Sequence, residues 1–378
     1  MSDRIKSMSL DSYLDGASAR NYKIKNKDRT IGTFQWDDDD TGVLVDDYGL
    51  PTFIYEDFND WLGSRTPPKH RTHMKELLEQ LGLSTLKSVI DFSKGLSLTD
   101  SFWIVHESDT IAWKNVSLFN NAFDDVIARV AFDGGLHGIP LSTTTPELGT
   151  NGMLAKCWVR NSNGGIDLLK TGTTGASNAG NEPYSENLAH QVLERLCYNH
   201  VPYSVENFHG RLVSRCPLFT SEEMMFLPIY RYYSFRSLDR LVKLCKQDNI
   251  HKGLAQHLVY DYLSWNTDRH AGNLGVLLDS SDYKLIDFAP IFDNGVSMLN
   301  YWNGTDDIDE YTTRSTPALY QSFEQGAKVG KKILGNSHNV QRLIGFKFDR
   351  SQVPGYSEQR IDAIENWLQR RVKKFLEF

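Results

Sequence analysis

WNTDRHAGNLG (residues 265–275) and, a short way on, YKLIDFAPIFDNG (residues 283–295) carry most of what this sequence says about its architecture and chemistry. The first segment begins where an amphipathic pattern stops. In HKGLAQHLVYDYLSW, Leu254, Leu258, Val259 and Tyr262 recur on one helical face, and a polar, glycine-containing loop follows. Asp268 and Asn273 lie five residues apart in that loop, and Asp293 ends a strand-like run twenty-five residues after Asp268, just before Asn294 and Gly295. A loop carboxylate, a loop amide and a carboxylate at the end of the next strand are the parts that phosphoryl transfer requires. In that reading Asp268 orients an attacking hydroxyl and accepts its proton. Asn273 and Asp293, both hard oxygen donors, hold a Mg²⁺ ion against the phosphates. A second carboxylate competes for the metal: Asp287, in LIDFAP, stands nineteen residues after Asp268.

Working back along the chain, the segment from Gly134 to Gly152 packs five glycines, two prolines and a run of hydroxyls into nineteen positions, which is loop chemistry. Within it PELGTNG offers the backbone N–H groups of Gly149, Thr150, Asn151 and Gly152 to a phosphate, because glycine adopts the conformations that such an approach demands. LAKCWVR and IDLLK, joined by NSNGG, form a hairpin that ends on Lys170, a candidate for the α- and β-phosphates. YSENLAHQVLERL follows as a helix with Ser185 at its cap and Glu186 in its first turn, where it would pair with Lys170. The apolar string MMFLPIY (residues 224–230), with Phe226 and Leu227 at its centre, is a candidate hinge stacking on adenine; a core strand explains it equally well. His270 suits a brace for the loop backbone at the nucleotide site, and Arg269 suits either a phosphate or a neighbouring carboxylate.

NTDRHAGN followed by APIFDNG resembles the catalytic and metal-binding loops of HipA-like serine/threonine kinases, over roughly residues 140–300. That resemblance implies a bilobal kinase-like fold, ATP and Mg²⁺ as cofactors, Asp268 as the base, Asn273 and Asp293 as metal ligands and Lys170 as the ATP-binding lysine. The family's usual Gln-x-Lys pattern in the glycine-rich loop is missing. By the same resemblance a small DNA-binding antitoxin is an implied partner, and autophosphorylation near the glycine-rich loop, which Ser142, Thr143, Thr144 and Thr145 immediately precede, would eject the loop from the nucleotide site, with Thr145 or Thr150 as the acceptor.

The rest of the chain fits this frame. With 378 residues and 40% apolar side chains there is material for two or three units around sizeable cores. The expected class is α+β: an N-terminal α+β module over residues 1–135, a β-rich lobe over 136–228 and a helical lobe over 229–378. In the module, NYKIKNKDRTIGTFQW alternates as strand, turn and strand around Asn26 to Asp28, a helix is predicted over residues 70–81, and the acidic run Asp37–Asp40 suggests a solvated turn. Forty-one Lys and Arg against 48 Asp and Glu leave a net charge of −7, which argues against a direct nucleic-acid or anionic-membrane binder. Four cysteines without paired spacing, no signal-like N-terminus and no long apolar run point to the cytoplasm. The acceptor is most simply a protein hydroxyl. A lipid or small-molecule kinase, and a nucleotide-binding pseudokinase acting as a regulator, stand as alternatives.

Overall fold

The computed structural model describes residues 21–68, 70–135, 145–175, 178–313 and 316–378. Among these residues the named strands form three antiparallel sheets. The first runs β3-β2-β1-β4, from β1 (Asn21–Asn26), β2 (Arg29–Trp36), β3 (Gly42–Asp47) and β4 (Phe102–His106). Its first hairpin turns at Lys27 and Asp28, as the alternation predicts, with Lys27 in the left-handed region at φ 50°. β4 is buried on both faces: Phe102 and Ile104 enter one core, Trp103 and Val105 another, which accounts for its unbroken apolar run. The helix predicted over residues 70–81 is shorter, Met74–Gln80, and a second helix, Leu86–Ser93, is capped by Thr85 and its reciprocal partner Ser88.

The second sheet, ordered β5-β6-β8-β7, is built from β5 (Lys156–Arg160), β6 (Ile166–Thr171), β7 (Ser204–Phe208) and β8 (Arg211–Pro217). Strand periodicity divides its residues between two faces. Cys157, Leu169 and Val213 face Phe132 of the helix Asp125–Asp133, which is capped by the Asp124 carboxylate. The packing therefore crosses the boundary expected at residue 135, because this helix supplies the apolar cover that the sheet needs on that side. On the opposite face Lys156, Lys170 and Ser214 pair across β5, β6 and β8 as one row.

The helix after β6 spans Glu182–Leu196, with Asn181 rather than Ser185 at its N-cap. Pro183 explains the earlier start, since proline in the first turn gives up an N–H that has no intrahelical partner there. Ser185 is consequently buried inside the helix, and Glu186 falls in the second turn. Leu188, Ala189, Val192, Leu193 and Leu196 bury its other face against the helices His251–Ser264, Phe323–Leu334 and Glu358–Glu377. The approach is close at Gly330, where a Cβ would lie 2.8 Å from the Ala255 carbonyl oxygen.

The third sheet, β11-β10-β9, joins β9 (Met224–Pro228), β10 (Gly275–Asp279) and β11 (Leu285–Phe288). Of the two readings left open for residues 224–230, hinge or core strand, it shows the core strand. The chain leaves the second sheet at Pro217, and MMFLP is a strand paired along β10. Met225 and Leu227 point into the core shared with the first sheet; Phe226, on the alternate face, packs with Leu277 and Ala289. The connection itself, residues 218–223, is held by the N-terminal part of the chain. The Leu98 carbonyl accepts from the Thr220 hydroxyl, the Thr99 carbonyl from the Phe226 N–H at 2.8 Å, and Glu222 accepts from Trp113 Nε1 and Ser117 Oγ at 2.6 Å each. No helix among the described residues is long and apolar enough to cross a membrane.

Candidate active site

Lys170 ends the inner row of the second sheet and is buried. Its Nζ lies against the Glu186 carboxylate and 2.6 Å from Asp293 Oδ1. Ser214, next to Lys170 across the sheet, donates to the other Glu186 oxygen. Burial works against the Lys170 charge, but Asp293 and Glu186 outweigh it and hold the ammonium well above its ordinary pKa. The same pairing acts in reverse on Asp293: the cost of partial burial is outweighed by the Lys170 and Lys156 charges, and its carboxyl is held well below the usual range. Asp293 sits in the left-handed region at φ 53°, a conformation that Asp tolerates better than most side chains, and its N–H donates to the buried Tyr203 hydroxyl at 3.1 Å.

Asp287 lies elsewhere. It is exposed on β11, its carboxylate accepts from the Phe288 N–H at 2.7 Å, and it makes no ion pair among the described residues. Of the two candidate metal carboxylates, Asp293 is the one that stands beside Lys170.

The loop after the helix His251–Ser264 is shaped by its own short-range bonds. Trp265 closes the helix in the left-handed region at φ 56°, Asn266 Oδ1 accepts from the Asp268 N–H at 3.1 Å, and the Asn273 N–H donates to the His270 carbonyl at 3.0 Å. His270 is exposed, and its Nδ1 accepts from the Gly272 N–H at 3.0 Å, which is a brace on the loop backbone. Asp268 is open to solvent at the front of the loop, and its pKa is raised, chiefly by partial loss of water and further by the Asp293 charge. A carboxylate moved upward in this way is a better proton acceptor.

Arg269, left between two roles by the sequence, turns inward. It is buried, donates from Nε to both Asp261 oxygens at 3.1 and 3.3 Å, and donates from Nη2 to Asn294 Oδ1 at 2.6 Å. Its Nη1 bonds the Asn273 carbonyl at 3.3 Å and the Phe292 carbonyl at 2.7 Å. One guanidinium thus ties the backbone that carries Asn273 to the backbone that carries Asp293. Phe292 adds an apolar anchor, packed with Phe219 and Phe226 at ring separations of 5.2 and 5.4 Å.

The glycine-rich loop departs from the expected cradle. Gly149 packs against the Leu96 carbonyl with no room for a side chain, and its N–H is spent on the Pro146 carbonyl at 3.1 Å. The Thr150 hydroxyl donates to Pro146 O at 2.6 Å and accepts from Trp158 Nε1 at 2.8 Å, while the buried Arg71 holds Glu147 and the Thr150 carbonyl. These two residues are turned into the protein, because Arg71 and Glu147 form an ion pair sealed from water that needs them there. The Asn151 carbonyl accepts from Lys156 Nζ at 2.7 Å, and Gly152, at φ +96°, lies directly beneath that ammonium. Thr145 is buried; Ser142, Thr143 and Thr144 lie outside the described residues.

Lys156 is the residue that sequence reasoning missed. It is buried opposite Lys170, and its pKa is pushed down to about 7, first by burial and then by the Lys170 and Arg71 charges. The signal was available: folding the hairpin about NSNGG puts Lys156 and Lys170 in cross-strand register. Ser214 and Tyr203 carried no comparable mark.

The donor set fits a magnesium nucleotide. Among the described residues no cluster of three His, Cys, Asp or Glu side chains could cage a metal, whereas one carboxylate and one amide suit an ion that completes its shell with water and phosphate oxygens. No family model matches the sequence, and no curated protein matches it. Among solved structures, the chain is similar to the Helicobacter pylori proinflammatory kinase CtkA at 16% identity and a TM-score of 0.45, over 59% of this chain and 91% of that one. It is also similar to HipA of Shewanella oneidensis MR-1, solved with HipB and operator DNA, at 13% identity and a TM-score of 0.59, over 94% of this chain and 98% of that one. Three antiparallel sheets packed on a helical half, superposing on HipA over nearly the whole of both chains, give this protein the kinase-like bilobal fold of HipA.

Proposed function

We propose that the chain is an ATP- and Mg²⁺-dependent phosphotransferase that acts on Ser or Thr hydroxyls of a protein. The observation that carries this reading is the cluster of Lys170, Glu186 and Asp293, joined through Arg269 to the loop that bears Asp268 and Asn273. Lys170, held by Glu186, takes the α- and β-phosphate oxygens. Asn273 and Asp293 supply the oxygen ligands for Mg²⁺, and Asp268 aligns the acceptor hydroxyl and takes its proton. The bound ion neutralises charge that builds on the phosphates during transfer. Lys156 adds a second cation beside the same phosphates. The test is incubation of the full chain with γ-labelled Mg-ATP, alone, with general protein acceptors and with lysate of its own cell. Labelled protein is the expected result; nucleotide binding with no transfer to any of them overturns the proposal in favour of a pseudokinase. HipB in the Shewanella assembly supports a small DNA-binding partner for this chain as well, to be sought by co-purification.

The depressed Lys156 makes nucleotide binding pH-dependent in a calculable direction. With a pKa of about 7 in the empty site, Lys156 is mostly neutral at pH 8 and mostly charged at pH 6. Phosphate oxygens beside it favour the charged form, so binding at pH 8 takes up a proton, whereas binding at pH 6 finds the proton already present. Calorimetry in buffers of different ionisation enthalpy measures the uptake directly. Lys156→Met removes it, and the same uptake in the variant would assign the proton to another group.

A further inference from the structure

Away from the interlobe site, a cavity of about 530 Å³ opens between the helices Ile308–Thr313, Phe323–Leu334 and Glu358–Glu377. Trp265, Phe323 and Trp367 form apolar walls, Thr312 and Ser322 add hydroxyls, and Arg371 lines it. The volume lies in the range of small-molecule sites, about 300–1,000 Å³.

Arg371 is the unusual member. Its side chain is 9% exposed, its guanidinium lies over the Tyr262 ring at 3.8 Å and the Trp265 ring at 4.4 Å, and burial draws its pKa down to about 10. The other cations of the cavity have carboxylate partners: Arg370 pairs with Asp309 at 3.3 Å and Lys374 with Glu324 at 3.2 Å. Among the described residues Arg371 has no carboxylate within ion-pair distance, although the Glu324 and Asp309 charges act on it from farther off. Among the same residues its Nε–H bonds the Tyr262 carbonyl at 2.7 Å, and its Nη2 is buried with no hydrogen-bond partner. A buried charge with unused donors is costly unless something neutralises it. The open cavity in front of it is where such a group would come from.

We propose that this cavity binds a small anionic ligand, a carboxylate or phosphate monoester carried on an aromatic or aliphatic body, with the anion on the Arg371 guanidinium and the body between Trp265, Phe323 and Trp367. A charge-assisted bond to guanidinium gives the anion its hold, and the aromatic walls select against a bare ion. The site is separate from the interlobe cluster and does not depend on the phosphotransferase reading. Because Trp265 and Trp367 line it, occupancy is visible in tryptophan fluorescence.

The test titrates the full chain with phenyl phosphate and benzoate, with inorganic phosphate as a bare anion and benzyl alcohol as a neutral aromatic. Saturable quenching by the two aromatic anions is expected, with benzyl alcohol weaker by about tenfold or more, the equivalent of losing one charge-assisted bond of roughly 1.5 kcal/mol. Inorganic phosphate is expected to bind more weakly than phenyl phosphate. Arg371→Gln should abolish the preference for anions. Thr312→Trp, which fills the cavity without touching the guanidinium, should block all probes, so the proposal is tested even where Arg371→Gln fails to fold. Equal affinity for benzyl alcohol and the anions overturns it, as does unchanged binding in either folded variant or an absence of saturable binding by both aromatic anions. Excess ATP-Mg leaves the quenching unaltered; displacement by ATP would place the probes in the interlobe site instead.

Discussion

Asp293→Ala lowers phosphate transfer from Mg-ATP by a hundredfold to a thousandfold, about the loss seen when one charge-stabilising group is removed from an active site, and Asp287→Ala leaves transfer within about twofold of wild type, as an exposed substitution should. The difference follows from position. Asp293 stands 2.6 Å from Lys170 and carries its charge under strong local pressure to remain ionised, whereas Asp287 is turned to solvent on β11 and, among the described residues, bonds its own strand at the Phe288 N–H. Removing the Asp293 carboxylate takes away the proposed metal ligand and one of the two anions on Lys170; removing the Asp287 carboxylate takes away a backbone contact. Single-turnover transfer assays on both variants, with circular dichroism to establish folding, measure it. Retained transfer in Asp293→Ala with loss in Asp287→Ala would move the metal ligand to Asp287.

The second large effect is on stability. Arg269→Met leaves the Asp261 carboxylate buried without its partner, and breaking a buried pair in this way costs about 3–5 kcal/mol. Even with Arg269 present, burial raises the Asp261 pKa to about 6. The folded-state value lies above the unfolded one, so the folded protein binds the proton more tightly and stability declines as pH rises through that window. Without Arg269 the carboxyl moves further up. The deficit of the variant relative to wild type is therefore largest at pH 8 and shrinks toward pH 5, where Asp261 is neutral in both. Urea denaturation at the two pH values checks the magnitude and the sign. A second substitution, Asp261→Asn in the Arg269→Met background, should recover a large part of the loss at pH 8. A deficit independent of pH would mean that the contacts to Asn273, Phe292 and Asn294, rather than the ion pair, account for Arg269.

Arg269 also shows where reading the sequence reaches its limit. Its neighbours Asp268 and Asn273 could be assigned roles from spacing alone, because a helix stop, a short loop and a following strand are written in local periodicity and turn residues. The four groups that Arg269 joins, Asp261, Asn273, Phe292 and Asn294, are drawn from two separate loops and a helix, and no pattern in WNTDRHAGNLG says which way the guanidinium turns. Residues 21–135 offered no visible chemistry, yet through Leu98, Thr99, Trp113 and Ser117 they hold the connection between the second and third sheets. Those partners lie more than a hundred residues apart in sequence. The two readings left open for residues 224–230 have the same origin: a short apolar run such as MMFLP has no internal mark that separates a linker from a buried strand.

What the sequence by itself determined was the local material: where the helix before Asp268 ends, the β5–β6 hairpin that carries Lys170, and the order of groups suited to phosphoryl transfer. Alternation with period two and helical spacing are set by bonds within a few residues, so they survive without knowledge of the rest of the chain. The tertiary structure alone decided that Asp293 and not Asp287 meets Lys170, that Leu227 enters the core shared with the first sheet while Phe226 packs with Leu277 and Ala289, and that Gly149 and Thr150 are bound inward by Arg71 and its neighbours. Each of these depends on which buried faces and charges must be satisfied together, and that requirement exists only when segments distant in sequence are brought into contact.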